Sequence, residues 1–228
     1  MSELSGFFLA VEGGEGAGKT TLVEGLAEYF EAQGYLVTVT SDPSGCELGR
    51  QIGGLLGNAS AVNDPMTAML LLTAARRQLI ETVIRPALAA GHIVLCERYV
   101  HWTLVQQGVF GDFAADAPLR MHAEACDDLW PHITILLDAD PSVTLNRTRP
   151  DLTSHVVERA ALPVYEAVAA AYRQSMRYTP EGDYGIVAAG NAPAIILADT
   201  INMVAVNDHF ERYLERQSAP THLQLARA

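Results

Sequence analysis

One segment of the 228 residues, Val11–Thr21 with the sequence VEGGEGAGKTT, constrains the fold more than any other. Gly13, Gly18, Lys19 and Thr20 satisfy G-x-x-x-x-G-K-[ST], directly after a short apolar run and directly before an amphipathic stretch. Average residue usage yields this pattern by chance in about one chain in a hundred of this size, and the strand-loop-helix context makes it rarer still. The glycines let backbone amides converge on phosphate oxygens, and a helix beginning near Gly18 adds its positive dipole end. Gly13, Gly14, Gly16, Ala17, Gly18, Lys19, Thr20 and Thr21 are therefore expected to hold a nucleoside triphosphate, with Lys19 at the β and γ phosphates and the Thr20 hydroxyl on magnesium. Lys19 is the only lysine in the chain. A compact ammonium fits a ring of amides beside a transferring phosphoryl group, where a planar guanidinium needs more room.

Around this loop the chain alternates short apolar runs with longer amphipathic ones, the pattern of a parallel sheet covered by helices. Strands are expected at Phe7–Val11, Leu36–Thr40, Ile93–Cys96, Ile133–Leu137 and Tyr184–Val187. Helices are expected at Lys19 to about Ala32, Pro65–Ala90, Ala117–Leu129, Pro141–Arg147, His155 to about Arg177, and Pro193–Arg216. Gly91 reads as the helix-ending residue before the third strand. Residues 1–216 form one α/β domain with a short lid at about 148–158, and 217–228 lack periodicity and read as a loose tail.

Composition narrows the partners. A formal charge of −12 argues against a general nucleic-acid binder, whose affinity rests on cations laid along phosphates. The N-terminal apolar run is too short for a signal peptide or a membrane span. Cys46, Cys96 and Cys126 are far apart and odd in number, which fits reduced thiols in a cytoplasmic protein better than a disulfide framework or a zinc site.

Further chemistry sits at strand ends. Glu97 and Arg98, in CERY, fall at the carboxyl end of an expected parallel strand, where open α/β sheets bind ligands. Glu97 can hold a magnesium-bound water or accept a proton, and Arg98 can clamp an acceptor phosphate; a solvated ion pair is the plainer alternative. Arg76 and Arg77 lie about 100° apart on their helix, so at most one points into a shared site. Arg147 and Arg149 sit in a small basic cluster suited to a closing lid, since phosphoryl transfer spreads negative charge over the transferred group. Arg147 fits a helix C-terminus equally well.

These motifs together resemble the bacterial thymidylate kinases over nearly the whole chain. VEGGEGAGKTT is similar to that family's P-loop, TSDPSG stands where the family has T-R-E-P-G-G, and AARRQLIETVIRPALAAGHIVLCERY runs alongside its long helix, third strand and D-R-[YH] motif. QQG, from Gln106, stands at Y-Q-G, and ILLDADPSVTLNRTR matches the fourth strand and the approach to the lid. The resemblance implies a P-loop kinase fold with a five-stranded parallel sheet, ATP and Mg2+ as donor and metal, a pyrimidine deoxynucleoside monophosphate as acceptor, and a homodimer. It implies catalytic roles for Lys19, Glu97, Arg98 and Arg149, a donor contact for Arg147, and metal binding by Thr20 and Glu97. On the acceptor side it implies Glu15 at the sugar, with Asp42, Pro43, Arg50, Leu72, Arg76, Arg98, Trp102, Gln106 and Gln107 around phosphate and base.

Departures from the family cluster on that acceptor side. Ser41 and Asp42 replace Arg-Glu before Pro43, Gly53 stands where the family has an arginine, with Arg50 one turn earlier, and Leu72 replaces a stacking aromatic. Trp102 replaces a small polar residue, and Gln106 a tyrosine that crowds the sugar's 2′ position. Such changes reshape the pocket and add hydrogen-bonding capacity, so the expected acceptor is dTMP or a modified or different pyrimidine monophosphate. Two other readings stand beside this one. Glu97–Arg98 resembles the Glu-Arg of deoxynucleoside kinases, which phosphorylate a 5′-hydroxyl, and the altered lid fits a catalytically degenerate ATP-binding module.

Overall fold

The computed structural model describes residues 5–58, 60–111, 114–148, 162–180 and 183–218. Five strands, β1 (Phe7–Glu12), β2 (Val37–Ser41), β3 (Ile93–Glu97), β4 (Ile133–Asp138) and β5 (Tyr184–Ala188), form one sheet in the order β2-β3-β1-β4-β5, every pair parallel. β1 is central and wholly buried, as a strand covered on both faces must be. Its side chains alternate between two cores. Phe7, Leu9 and Val11 pack with Leu22, Leu26 and Phe30 of α1 (Lys19–Ala32). Phe8 and Ala10 pack on the opposite face with Leu79, Ile84, Leu88, Tyr99 and Leu104. Glu12 has the same parity as Phe8 and Ala10, so its carboxylate is carried into the second face.

Between β2 and β3 run α2 (Glu47–Leu56), α3 (Pro65–Leu79), a π-helical turn at Ile80–Ile84 and α4 (Arg85–Ala89). The long helix expected over Pro65–Ala90 is present but changes register at the π turn. Pro86 has no N–H for the i−4 carbonyl, and a widened turn just before it accommodates that loss. Gly91 follows with φ +81° while His92 N donates to Ala87 O and Gly91 N to Leu88 O, a Schellman ending that turns the chain into β3. Beyond β3 lie α5 (Val100–Phe110), α6 (Asp116–Cys126), α7 (Pro141–Arg147), α8 (Leu162–Ser175), α9 (Pro193–Ala205) and α10 (Asp208–Ser218).

Three expectations need correction. The final helix is two, because Asn207 Oδ1 accepts the amides of His209 and Phe210 and caps a new helix there. α10 runs to Ser218, two residues into the segment read as a tail from 217, and residues 219–228 lie outside the described residues. Both α2 and α5 were absent from the expected helices. α2 contains Gly49, Gly53 and Gly54, and α5 buries polar residues (His101, Thr103, Gln107) together with apolar ones, so neither shows a clean helical stripe. Each glycine in a helix costs about 0.5–1 kcal/mol relative to alanine. The lid expected at about 148–158 lies outside the described residues except for Thr148, as does Arg149.

All three cysteines are buried and free. No described helix is long and apolar enough to cross a membrane.

Candidate active site

The carboxyl ends of β1 and β3 meet at the loop between β1 and α1. That loop has φ +142° at Gly13, +75° at Gly16 and +97° at Gly18, a left-handed run that turns amides inward. A Cβ at Gly13 would lie 2.8 Å from Leu137 O and one at Gly16 2.7 Å from Thr144 O, so the loop is also clamped against β4 and α7. No side chain caps α1, whose first-turn amides therefore stay available to an anion. Lys19 is buried and donates from Nζ to Gly14 O at 2.8 Å. Burial, helped by the Arg98 charge, lowers its pKa to about 8.

Next to the lysine, Thr20 Oγ1 donates to Glu97 Oε2 at 2.8 Å. A hydroxyl and a carboxylate oxygen side by side are hard donors suited to magnesium, which usually takes one or two protein oxygens and fills its shell with water and phosphate. The described residues hold no group of three or more His, Cys, Asp or Glu able to bind a metal by themselves.

Arg98, one residue beyond β3, adopts φ +64° and donates from Nη2 to Glu15 Oε2 at 2.5 Å. Its guanidinium lies 4.4 Å from the Trp102 ring centroid. Burial opposes ionisation of Glu15, but the charges of Arg98 and Lys19 outweigh it and hold the carboxyl below its ordinary value. Arg98 thus ties the P-loop to a cleft of about 750 Å³ between α2, α3 and α5. Of the residues expected on the acceptor side, Pro43, Arg50, Leu72, Arg98, Trp102, Gln106 and Gln107 line this cleft. Gln107 is buried and its Oε1 has no partner. Arg50 sits at an exposed position paired with Glu47 at 2.5 Å, a pair of small energetic weight.

Asp42 and Arg76 are placed differently. Neither lines the cleft. Arg76 is buried behind it, donating to Asp42 Oδ2 at 2.6 Å, Tyr99 O at 3.0 Å and Thr103 Oγ1 at 2.5 Å. Burial raises the pKa of Asp42, and the arginine pulls against that rise. Arg77 is the outward member of the pair, bonded to Asp127 and Glu81. Arg147, at the end of α7, donates to Ala189 O just past β5, at 3.1 Å. Glu15 lies outside the cleft lining and meets it through Arg98.

One site residue was not foreseen. Glu12 Oε1 accepts the amide of Tyr99 at 2.7 Å and of Trp102 at 3.3 Å. A carboxylate from β1 therefore caps α5 and fixes the turn that presents Arg98 and Trp102. The only signal in the sequence is an acid directly after a fully apolar strand. Burial raises its pKa from 4.5 to about 7. The folded state then holds a proton that the unfolded chain has released, so stability present below about pH 4.5 is lost as pH rises toward 7. Glu12→Gln keeps the acceptor and is expected to flatten the thermal midpoint between pH 5 and 8. Glu12→Ala strands two buried amides at about 1–3 kcal/mol each and lowers the midpoint at every pH, as a calorimetric series would show.

A family model for "Thymidylate kinase" matches residues 11–192, which takes in the loop, the cleft and the sheet. The chain belongs to the thymidylate kinase family. Thymidylate kinase from Cereibacter sphaeroides (strain ATCC 17029) is 40% identical over 200 residues, covering 85% of this chain and 91% of the relative. The enzyme of the same name from Pelobacter propionicus is 37% identical over 183 residues, covering 77% and 84%. That from Halalkalibacterium halodurans is 32% identical over 202 residues, covering 87% and 96%. Thymidylate kinase family membership makes the chain a phosphotransferase on the P-loop kinase fold.

Proposed function

We propose that the chain transfers the γ-phosphoryl group of ATP to the 5′-monophosphate of a pyrimidine deoxynucleoside, with dTMP as the reference acceptor. The observation that carries this is Arg98, which bonds Glu15 of the P-loop and also lines the cleft, so one cation serves both ends of the transfer. Lys19 and the amides of residues 13–18 take the β and γ phosphates, and Arg98 orients the acceptor phosphate. Thr20 and Glu97 would hold magnesium, which supplies charge neutralisation on the donor phosphates. Glu97 is engaged by Thr20 on the donor side, which favours a phosphate acceptor over a 5′-hydroxyl awaiting a base. Arg149 and the lid at about 148–158 complete the reading as further cations over the transferred group. Assembly as a cytoplasmic homodimer follows from the same family reading and is tested by molecular mass in solution.

The test is ADP release from magnesium-ATP with dTMP, dUMP, dCMP and the parent nucleosides. Turnover with monophosphates alone supports the proposal; turnover with nucleosides alone, or with none, overturns it. A pH dependence follows from the lysine. With a pKa of about 8 in the free protein, Lys19 is charged below that pH and must regain a proton on binding above it. The dissociation constant for ATP is therefore expected to rise up to tenfold per pH unit above pH 8, measured by titration calorimetry.

A further inference from the structure

Three buried polar atoms at the corner where α8 packs against α5 have no hydrogen-bond partner among the described residues. Glu12 uses Oε1 for the amides of Tyr99 and Trp102, while its Oε2 accepts from nothing. Arg98 commits Nη2 to Glu15, while its Nε is buried and unbonded. The third atom is the hydroxyl of Tyr172, a residue of α8 that packs with Val105 and Trp102 of α5 and Leu136 of β4 and is 1% exposed. Native interiors rarely keep such groups apart from one another. The chemistry of these three is complementary: a guanidinium N–H only donates, a carboxylate oxygen accepts, and a phenol does both. Tyr172 also lies beside both of the others. Burial holds its phenol well above the ordinary range, the Glu12 carboxyl adds to that rise, and the Arg98 charge opposes it.

We propose that Tyr172 is a positioning residue for Arg98, its hydroxyl accepting from Arg98 Nε and donating to Glu12 Oε2. The inference rests on the proposed role of Arg98 at the acceptor phosphate. The guanidinium is then held from two sides, at Nη2 by the P-loop and at Nε by α8, which leaves Nη1 and the outer edge of Nη2 to the phosphate as a fixed fork. Without the phenol, Arg98 keeps Glu15 and Trp102 but is free to turn about that contact, and the acceptor loses its alignment with the donor. The direction of the second bond also sets a pH dependence. Donation from the phenol favours the ionised carboxylate of Glu12, whose pKa stands at about 7. Tyr172→Phe removes the donor, so the Glu12 pKa rises further. Lys19 from α1 and Arg98 and Cys96 from the end of β3 also face this carboxyl, and the variant leaves all three in place.

The experiment follows ADP release from magnesium-ATP and dTMP in the parent protein and in Tyr172→Phe, and titrates the infrared band of the protonated Glu12 carboxyl, identified by its loss in Glu12→Gln. The variant removes one oxygen and keeps the ring, and a thermal midpoint within about 6 °C of the parent marks it as folded. Expected in Tyr172→Phe are a fall in kcat/KM for dTMP of roughly tenfold near neutral pH, a KM for ATP within about twofold of the parent, and a Glu12 titration midpoint raised by about half a pH unit or more. A Glu12 titration unchanged in the folded variant overturns the inference, as does an unchanged kcat/KM for dTMP, and both leave the kinase reading standing. Equal losses for ATP and dTMP mark a general disturbance of the site and overturn it as well. A parent protein that releases ADP with no monophosphate overturns the kinase reading, and the carboxyl band then decides the bond between Tyr172 and Glu12 by itself.

Discussion

Lys19→Ala is expected to lower the turnover of ADP formation by about 10³-fold or more while leaving the protein at least as stable as before. The two halves of this result have one cause. Lys19 is buried among protein atoms with a pKa lowered to about 8, so the folded state bears a desolvation cost for the ammonium that its bond to Gly14 O and the nearby carboxylates offset only in part. Removing it relieves the cost and removes the charge that meets the transferring group. Lys19→Arg restores the charge but places a planar fork where Nζ reaches Gly14 O, and it is expected to recover only a small part of the rate. Single-turnover kinetics and a thermal melt on the same samples check both halves. Full turnover in Lys19→Ala would falsify every catalytic role assigned to the loop.

Arg76→Met is expected to produce the largest loss of stability, about 3–5 kcal/mol, because it leaves the Asp42 carboxylate buried without a counter-charge. For a chain of this size that lowers the melting midpoint by roughly 6–20 °C. Three bonds leave with the arginine, to Asp42, Tyr99 O and Thr103, and they join β2, α3 and α5 behind the cleft. The family resemblance puts this arginine at the acceptor base, and the two roles separate experimentally. A base contact predicts a raised acceptor KM at unchanged melting midpoint in Arg76→Lys. A buried brace predicts a lowered midpoint that the double variant Asp42→Asn, Arg76→Met partly restores. A melt of Arg76→Met indistinguishable from that of the parent would remove the brace.

What the sequence disclosed depended on how local each signal was. The five strands and the loop at Gly13–Thr20 were legible because apolar runs and glycine spacing are written in consecutive residues. The cleft was half legible. Leu72, Trp102 and Gln106 were expected there and line it, since each lies on a helix whose family counterpart faces the acceptor. Helix α5 was not legible, because its cap is Glu12, far away in the chain on a different element. The inward turn of Arg76 was expected, but its partner was hidden for the same reason: Asp42 comes from the end of β2, and a helical wheel shows direction but not what waits there. Helix α2 was missed because its three glycines lower helix propensity and interrupt the apolar stripe.

Position 98 carries a last consequence. Arg98 adopts φ +64°, a conformation that costs a residue with a Cβ about 1–2 kcal/mol and costs glycine almost nothing. Glycine there would shed that cost but leave the Glu15 carboxylate without the cation it is bonded to and the Trp102 ring without its guanidinium. The backbone strain and the contacts that offset it belong to one residue, so the turn can relax only by letting go of both the loop and the cleft wall it joins.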